Sequence, residues 1–118
     1  MIPSQLLKGV LEGCILEIIQ KQETYAYEIS EKLKEVGFGE ISEGTIYPII
    51  LRLNKKGWLD SVMRKSAIGP KRKYYHLTPE GEKALKAFET DWAHLQLAIN
   101  HLFEGERTDG QKLKASYE

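Results

Sequence analysis

The stretch Ser42–Gly57, which reads SEGTIYPIILRLNKKG, carries the pattern that decides the fold. Its apolar residues recur at the i, i+3, i+4 and i+7 spacing of a helix that packs one face on a core, at Ile46, Ile49, Ile50 and Leu53. Ser42 is a typical N-cap and Gly57 a typical stop for such a helix. We therefore predict a helix over Glu43–Lys56, with a kink or an irregular first turn because Pro48 lacks a backbone N–H.

Two further helices are predicted before this stretch. Between Ser4 and Lys21 the apolar residues spread over more than one side of a helix, which indicates burial on more than one side. A second amphipathic pattern predicts a helix over Tyr25–Val36, with Thr24 as its N-cap and Gly37 at its end. Two short helices joined by a compact, glycine-containing turn are typical of a helix-turn-helix.

Two runs of strand-forming residues follow the third helix. They are Leu59–Lys65 and Arg72–Leu77, and Gly69-Pro70 marks a turn between them. This pattern predicts a β-hairpin with a basic tip, which would be the wing of a winged helix-turn-helix. Because side chains alternate along a strand, one of the neighbours Tyr74 and Tyr75 should pack inward and the other should face out.

A long final helix is predicted from the start signal Thr78-Pro79-Glu80 to about Phe103. Its apolar residues are spaced alternately three and four apart, which is the heptad pattern of a coiled-coil seam. We expect the seam to join two subunits, because a three-helix domain has little surface to cover so long a helix; the alternative is packing within one subunit. The predicted interface, completed by helix one, consists of Leu7, Val10, Leu11, Leu85, Phe88, Trp92, Leu95, Ile99 and Leu102.

The expected fold is therefore mainly α with a small β-hairpin: a winged helix-turn-helix followed by a long C-terminal dimerisation helix. We place the winged domain at residues 1–78, the dimerisation helix at 79–104 and a flexible tail at 105–118. The chain has 118 residues, 42% of them apolar, and no run that resembles a signal peptide or a membrane span. Its one cysteine, Cys14, suits a reducing cytoplasm, and a small buried hydrophobe is the favoured role over a redox sensor.

Charge is distributed unevenly although the chain carries no net charge. Residues 42–76 contain eight basic and two acidic residues, a local net charge of +6, and the remainder carries −6. Charge alone favours a polyanion such as double-stranded DNA no more than a solvated face balanced by acidic neighbours. The helix-turn-helix pattern favours DNA, since a major groove about 12 Å wide admits one helix. The expected DNA contacts are Ser42, Gly44, Thr45, Tyr47, Pro48, Arg52 and Lys55 on the helix, and Lys71, Arg72, Lys73 and Tyr74 on the wing.

The motifs of the third helix and the wing resemble those of a known family. The segments Gly44–Pro48 (GTIYP), Arg52-Leu53, Lys56-Gly57 and Arg72–Thr78 (RKYYHLT), followed by Gly81, are similar to the signature of PadR-type transcriptional regulators. The resemblance covers about residues 5–103, and the single C-terminal helix resembles the short subfamily. The wing contains less glycine than is common in that family.

This resemblance implies a homodimeric bacterial repressor that binds a pseudo-palindromic operator, with the third helix in the major groove and the wing on the flanking backbone. It also implies that proline is tolerated at position 48. In some relatives an effector releases the DNA, and in certain ones a flat aromatic compound lodges between the subunits against tryptophans of the last helix. Trp92 lies on the corresponding helix here, where an ordinary core or interface aromatic is the alternative.

Other classes of function have little support in the sequence. His94 and His101 are seven residues apart on one predicted helix, too far to share a metal ion, and no phosphate-binding glycine loop suggests a cofactor. No nucleophile motif suggests an enzyme. Two alternatives stay open: a winged-helix module that binds only protein, and a protein that is chiefly a sensor of aromatic small molecules.

Overall fold

The order of helices and hairpin expected from the sequence is the order found in the computed structural model. The structure describes residues 2–65 and 69–110, with side chains as far as residue 105. Its elements are α1 (Ser4–Leu7), α2 (Leu11–Lys21), α3 (Ala26–Glu35), α4 (Glu43–Lys55), β1 (Leu59–Lys65), β2 (Lys71–Leu77) and α5 (Pro79–Gly110). The fold class is confirmed as mainly helical, with one two-stranded antiparallel hairpin and a long C-terminal helix.

The chain consists of two units, residues 1–85 and the residues from 86 onwards. Among the described residues, all the buried apolar side chains belong to the first unit. Its largest fully buried side chains come from α2, α3, α4 and the start of β1: Ile15, Leu16, Ile29, Leu33, Ile46, Ile50, Leu53 and Leu59. Removal of these apolar side chains from water is the main stabilisation of the winged domain.

The first predicted helix is interrupted, which corrects the expectation of one helix between Ser4 and Lys21. α1 ends at Leu7 and α2 begins at Leu11. Gly9 lies in the break, and glycine is a poor helix former because its backbone loses more conformational freedom than that of any other residue. The wide apolar stripe expected of this region is confirmed for α2, which buries Leu11, Gly13, Ile15, Leu16 and Ile19.

Thr24 is not the N-cap of α3, contrary to the expectation. The N-cap is Tyr25, whose side chain makes no capping bond. Thr24 instead forms a β-bridge with Tyr75: the Tyr75 N–H donates to the Thr24 carbonyl at 2.8 Å, and the Thr24 N–H donates to the Tyr75 carbonyl at 3.4 Å. The Thr24 hydroxyl donates to Oε1 of Glu28 at 2.6 Å. The α2–α3 connection therefore pairs with the edge of β2.

The predicted cap and core face of α4 are confirmed. Oγ of Ser42 accepts a hydrogen bond from the backbone N–H of Thr45 at 3.3 Å. The helix continues through Pro48 without a break, so the first turn is not interrupted, and the alternative expectation of a kink at Pro48 stays a prediction. The missing hydrogen bond is offset by the burial of the opposite face, where Ile46 and Leu53 are fully enclosed.

The hairpin directs its two adjacent tyrosines to opposite faces. Its register places Leu59 opposite Leu77, so both share a face with Tyr75. Tyr75 is buried and is therefore the inward tyrosine, whereas Tyr74 belongs to the other face. The turn that we predicted at 66–70 lies partly outside the described residues.

The first turn of α5 is fixed against the base of the hairpin. The Thr78 hydroxyl donates to the Gly57 carbonyl at 2.6 Å and accepts from the Gly81 N–H at 3.0 Å, which confirms Thr78 as the start signal. A Cβ atom at Gly81 would lie 2.1 Å from the carbonyl oxygen of Trp58. Glycine at position 81 is therefore needed for this close approach of helix and backbone.

The far end of α5 differs from the prediction. The helix reaches Gly110 rather than about Phe103, so the expected flexible tail at 105–118 begins within the helix. Glu104 and Glu106 flank Gly105 and Arg107 follows; all three are good helix formers, which outweigh one glycine. Residues 111–118 of that tail lie outside the described residues.

We predict that Gly81→Ala lowers the free energy of unfolding by at least about 2 kcal/mol, because the new methyl group collides with backbone rather than with a flexible side chain. Urea unfolding followed by circular dichroism, at one fixed protein concentration, measures this effect. Gly9→Ala is the matched control, since a Cβ at Gly9 has no neighbour within 4 Å. Equal stability of the two variants would contradict the assigned contact.

Candidate nucleic-acid interface

The outer side of α4 presents the residues that the sequence predicted for DNA contact. The predicted helix residues are all exposed: Ser42, Gly44, Thr45, Tyr47, Pro48, Arg52 and Lys55. At about 100° per residue, the positions farthest from the buried face are Gly44, Pro48, Leu51 and Lys55. Thr45 and Arg52 lie along one flank of this line and Tyr47 lies along the other. Leu51 was not among the predicted contacts, and its 67% exposure is what distinguishes it from a core leucine.

The hydroxyl groups at the N-terminus of α4 are already engaged with one another. Ser42 Oγ caps the helix and also lies 3.2 Å from Oγ1 of Thr45. A hydroxyl group can donate and accept at the same time, so these two residues retain hydrogen-bonding capacity toward a partner. The Ser42 cap therefore holds the first turn of α4 in place and still leaves both hydroxyl groups able to bond to a partner.

Arg52 is paired with an acidic residue of another helix. Its Nε lies 3.2 Å from Oε2 of Glu12 in α2, and Nζ of Lys56 lies 3.2 Å from Oε1 of the same carboxylate. The sequence did not reveal this pair, because 40 residues separate Glu12 from Arg52. Glu12 therefore orients Arg52 and neutralises part of the positive charge on this flank.

Strand alternation divides the predicted wing contacts between two faces. Lys71 and Lys73 are exposed and share one face of β2, and Lys65 of β1 stands opposite Lys71. Arg72 and Tyr74 lie on the other face and are only half-exposed. The basic tip predicted from the sequence is therefore present, but only its lysines extend fully into solvent.

Arg72 and Tyr74 both contact Tyr25, the last residue of the α2–α3 connection. The Arg72 guanidinium lies 4.6 Å from the centre of the Tyr25 ring, and the Tyr74 ring meets Tyr25 edge-on at 5.1 Å. Tyr74 therefore lies on the face of the hairpin opposite to Tyr75, as expected, and its half-exposed ring also packs on the aromatic surface of Tyr25. Tyr25 was missed because the sequence gives no sign that the α2–α3 connection lies beside the wing.

A second arginine of the wing is held in a similar way. Arg64 lies 5.9 Å from the centre of the Tyr74 ring, and its Nε donates a hydrogen bond to Oε2 of Glu23. That hydrogen bond lowers the pKa of Glu23 below its ordinary value, so the carboxylate stays charged. We call Glu23, Tyr25, Arg64, Arg72 and Tyr74 the wing cluster. Its contacts fix the orientation of two cationic side chains near the wing tip.

The predicted dimer residues fall into three groups by burial. Leu7, Leu11 and Leu85 are buried within the single chain and expose little surface there, and their place in a dimer interface stays a prediction. Val10 and Phe88 are half-buried. The other seam residues are exposed, with Trp92 43%, Leu95 50%, Ile99 40% and Leu102 64% accessible. Phe103, 57% exposed, extends the same side of α5 and was missed by the heptad spacing.

Other kinds of site have little support among the described residues. Among the side chains of residues 2–65 and 69–105, no group of three or more histidine, cysteine, aspartate or glutamate residues is arranged to hold a metal ion. Cys14 is half-buried, and burial raises the pKa of its thiol, which disfavours the reactive thiolate. None of the described helices combines the length and apolarity that crossing a bilayer requires.

Comparison with known proteins identifies what this arrangement is similar to. The model of the transcriptional regulator PadR-like family matches residues 15–87. A PadR-like transcriptional regulator of Bacillus cereus has a similar crystal structure, with 47% identity, a TM-score of 0.78 and coverage of 85% of this chain and 97% of that one. A Streptococcus transcriptional regulator is 45% identical, with a TM-score of 0.76 and coverage of 83% and 96%. An uncharacterised protein of Lysinibacillus sphaericus is 32% identical over 107 residues, 89% of this chain and 98% of that protein.

Proposed function

The chain belongs to the PadR-like family of transcriptional regulators, and on this premise we propose that it is a cytoplasmic homodimeric repressor of a pseudo-palindromic operator. Membership of the family implies regulation through DNA binding, and members of such families are generally not enzymes. In the proposal, α4 enters the major groove, the wing contacts the flanking phosphates, and α5 joins two subunits. An effector that binds at the dimer interface releases the DNA.

The observation that carries the proposal is the exposed outer side of α4 beside a cationic wing. A helix that carries Arg52 on one flank and Lys55 at the end of its outer side fits a groove whose walls are phosphates. α4 packs on β1, so the wing lies next to the helix, and Lys71 and Lys73 extend from it into solvent. A module that binds only protein does not need cations on both elements.

The apolar side of α5 supports the dimer. Trp92, Leu95, Ile99 and Leu102 follow one another at heptad spacing, and all are at least 40% exposed. Soluble monomers rarely leave so continuous an apolar stripe in water. Two copies of α5 that pack along this stripe bury it, and a two-fold dimer presents two α4 helices to the two half-sites of an inverted repeat.

We predict that selection from a random duplex pool recovers an inverted repeat. We also predict that Lys71, Arg72 and Lys73 of the wing contribute to the salt dependence of binding to that duplex. If a dimer neutralises about six phosphates, log K falls with log salt with a slope of about −5. Replacing Lys71, Arg72 and Lys73 together by alanine should flatten this slope, since each lost phosphate contact removes about 0.9. Fluorescence anisotropy between about 50 and 200 mM salt measures this slope.

The control for this experiment is the double variant Lys83→Ala, Lys86→Ala, which removes exposed positive charge from α5 instead of the wing. It should keep the slope of the unchanged protein. A triple wing variant with an unaltered slope would show that the wing does not contact phosphate. Failure to recover any preferred duplex would contradict the repressor function itself.

Leu95→Asp should dissociate the dimer and abolish tight operator binding, because a buried unpaired carboxylate costs several kcal/mol at the seam. Leu97→Asp is the matched control, since Leu97 is 56% exposed and lies on the side of α5 opposite the seam. Analytical ultracentrifugation at micromolar concentration distinguishes the two. A Leu95→Asp protein that remains a dimer would refute the proposed seam.

A planar aromatic effector is favoured by the position of Trp92. Its indole is 43% exposed on the seam, where a flat compound held between two subunits could stack on it. The same site would be the centre of function if the protein were chiefly a small-molecule sensor. If the compound changes the affinity for DNA, the protein is both a DNA-binding regulator and a small-molecule sensor.

Trp92 fluorescence should be quenched by at least one member of a broad panel of planar aromatic compounds. The chain has two tryptophans, so the measurement is made in a Trp58→Phe background in which Trp92 is the only fluorophore of its kind. Trp92→Phe, which retains Trp58, should show no comparable quenching. No response across the panel would count against the effector.

A further inference from the structure

The outward line of α4, which we define as Gly44, Pro48 and Leu51, consists of residues that the fold itself does not explain. All three are exposed, and the side chain of Leu51 is 67% accessible. The line faces away from the core, so none of these residues contributes to the packing of Ile46, Ile50 or other buried side chains. Gly44 and Pro48 are also poor helix formers, and Leu51 leaves a large apolar side chain in water.

Gly44 lies in the helix with room for a side chain. A Cβ atom there would have only Oγ of Ser42 nearby, at 3.6 Å, which is an ordinary contact. Its φ angle is not in the left-handed region, so no backbone conformation requires glycine. Alanine would be the more stable residue in a helix. The fold therefore gives no reason for the absence of a side chain at position 44.

Pro48 and Leu51 are equally unexplained by the helix. Proline removes the N–H that would bond to the carbonyl of Gly44, and its exposed ring gains no burial in return. Leu51 holds an apolar side chain in water. From Gly44 to Leu51 the line is about 10 Å long at 1.5 Å per residue, which matches about three base-pair steps of DNA at 3.4 Å.

We propose that the outward line of α4 recognises the C5-methyl groups of thymines in the major groove, with Leu51 as the specificity-determining residue. The proposal rests on the proposed DNA-binding function. The thymine methyl is the apolar group that a major groove offers, and apolar side chains recognise it. Two cations, Arg52 on the flank and Lys55 one turn beyond Leu51, suit DNA as the partner, since an apolar protein surface would gain nothing from them.

The roles of the three residues follow from their positions along the line. Gly44, near the N-terminus of α4, allows the helix backbone to come close to the floor of the groove. Leu51, two turns later, reaches a methyl group with its side chain. Thr45 and Tyr47 on the flanks remain available for hydrogen bonds to base edges or phosphates. Recognition of methyl groups therefore adds to polar recognition and does not replace it.

Single-atom substitution in the DNA tests this proposal. The probe is the duplex recovered from the random pool, synthesised with deoxyuridine in place of each thymidine of one half-site in turn, which removes only the methyl group. At one or two positions the unchanged protein should bind the uracil duplex about fourfold more weakly, as expected for loss of one buried methyl contact. Leu51→Ala should bind the thymine and uracil duplexes equally at those positions.

Val36→Ala is the matched control, because Val36 is 62% exposed at the end of α3 and lies outside the outward line. It should retain the fourfold difference between thymine and uracil. If the unchanged protein is insensitive to every substitution, or if Leu51→Ala is as sensitive as the unchanged protein, methyl recognition is overturned while DNA binding stands. If no duplex is enriched, the proposed function fails first.

Gly44→Ala provides an independent readout of the close approach. It should raise Tm by a few degrees, since alanine favours the helix, and weaken binding to the recovered duplex at least severalfold, since the methyl group meets the DNA. Gly44→Ala with a raised Tm and unchanged affinity would show that position 44 does not approach the bases. Because the variant is more stable than its parent, unfolding does not confuse the result.

Discussion

The burial of Ile46, Ile50 and Leu53 is the constraint on which the rest of the structure depends. Each such side chain contributes about 1.5–3 kcal/mol when it is removed from water, so a rotation of α4 by one residue, about 100°, would sacrifice several kcal/mol. The rotation of α4 is thereby fixed, and so is the identity of its outer side. Any partner that binds the outer side of α4 contacts Gly44, Pro48, Leu51 and Lys55. Thr45, Tyr47 and Arg52 lie beside them.

The wing is attached to the same domain through two adjacent tyrosines, Tyr74 and Tyr75, which make different contacts. Tyr75 is buried and bridges to Thr24, which anchors β2 to the α2–α3 connection. Tyr74, on the opposite face, packs on Tyr25, and Arg72 stacks on that ring as well. Ordering a long cationic side chain on binding costs conformational entropy, so an arginine that is already held by an aromatic ring loses less of it. The wing therefore combines positioned arginines with lysines that extend into solvent.

What the sequence predicts well is set by local periodicity, and what it misses is set by contacts between distant segments. The spacing of Ile46, Ile49, Ile50 and Leu53 was sufficient to orient α4, and Thr78-Pro79 was sufficient to start α5. Neither pattern contains the pairing of Glu12 with Arg52, or the packing of Tyr25 on the wing, because both join residues about 40 or more positions apart. The same limit applies to Leu7, Leu11 and Leu85. Periodicity shows which face of a helix an apolar residue lies on, but it does not show which segment packs on that residue.

The pairing of Arg52 with Glu12 does not oppose DNA binding, and the magnitudes explain why. Both side chains are partly exposed, and such ion pairs contribute about 0–1 kcal/mol. A phosphate oxygen is an equally good partner for the guanidinium, and binding to it also releases counterions from the DNA. The exchange of one partner for the other is therefore nearly neutral in pairing energy and favourable in counterion entropy. Glu12 keeps Arg52 on the flank of α4 without holding it so tightly that a phosphate cannot take its place.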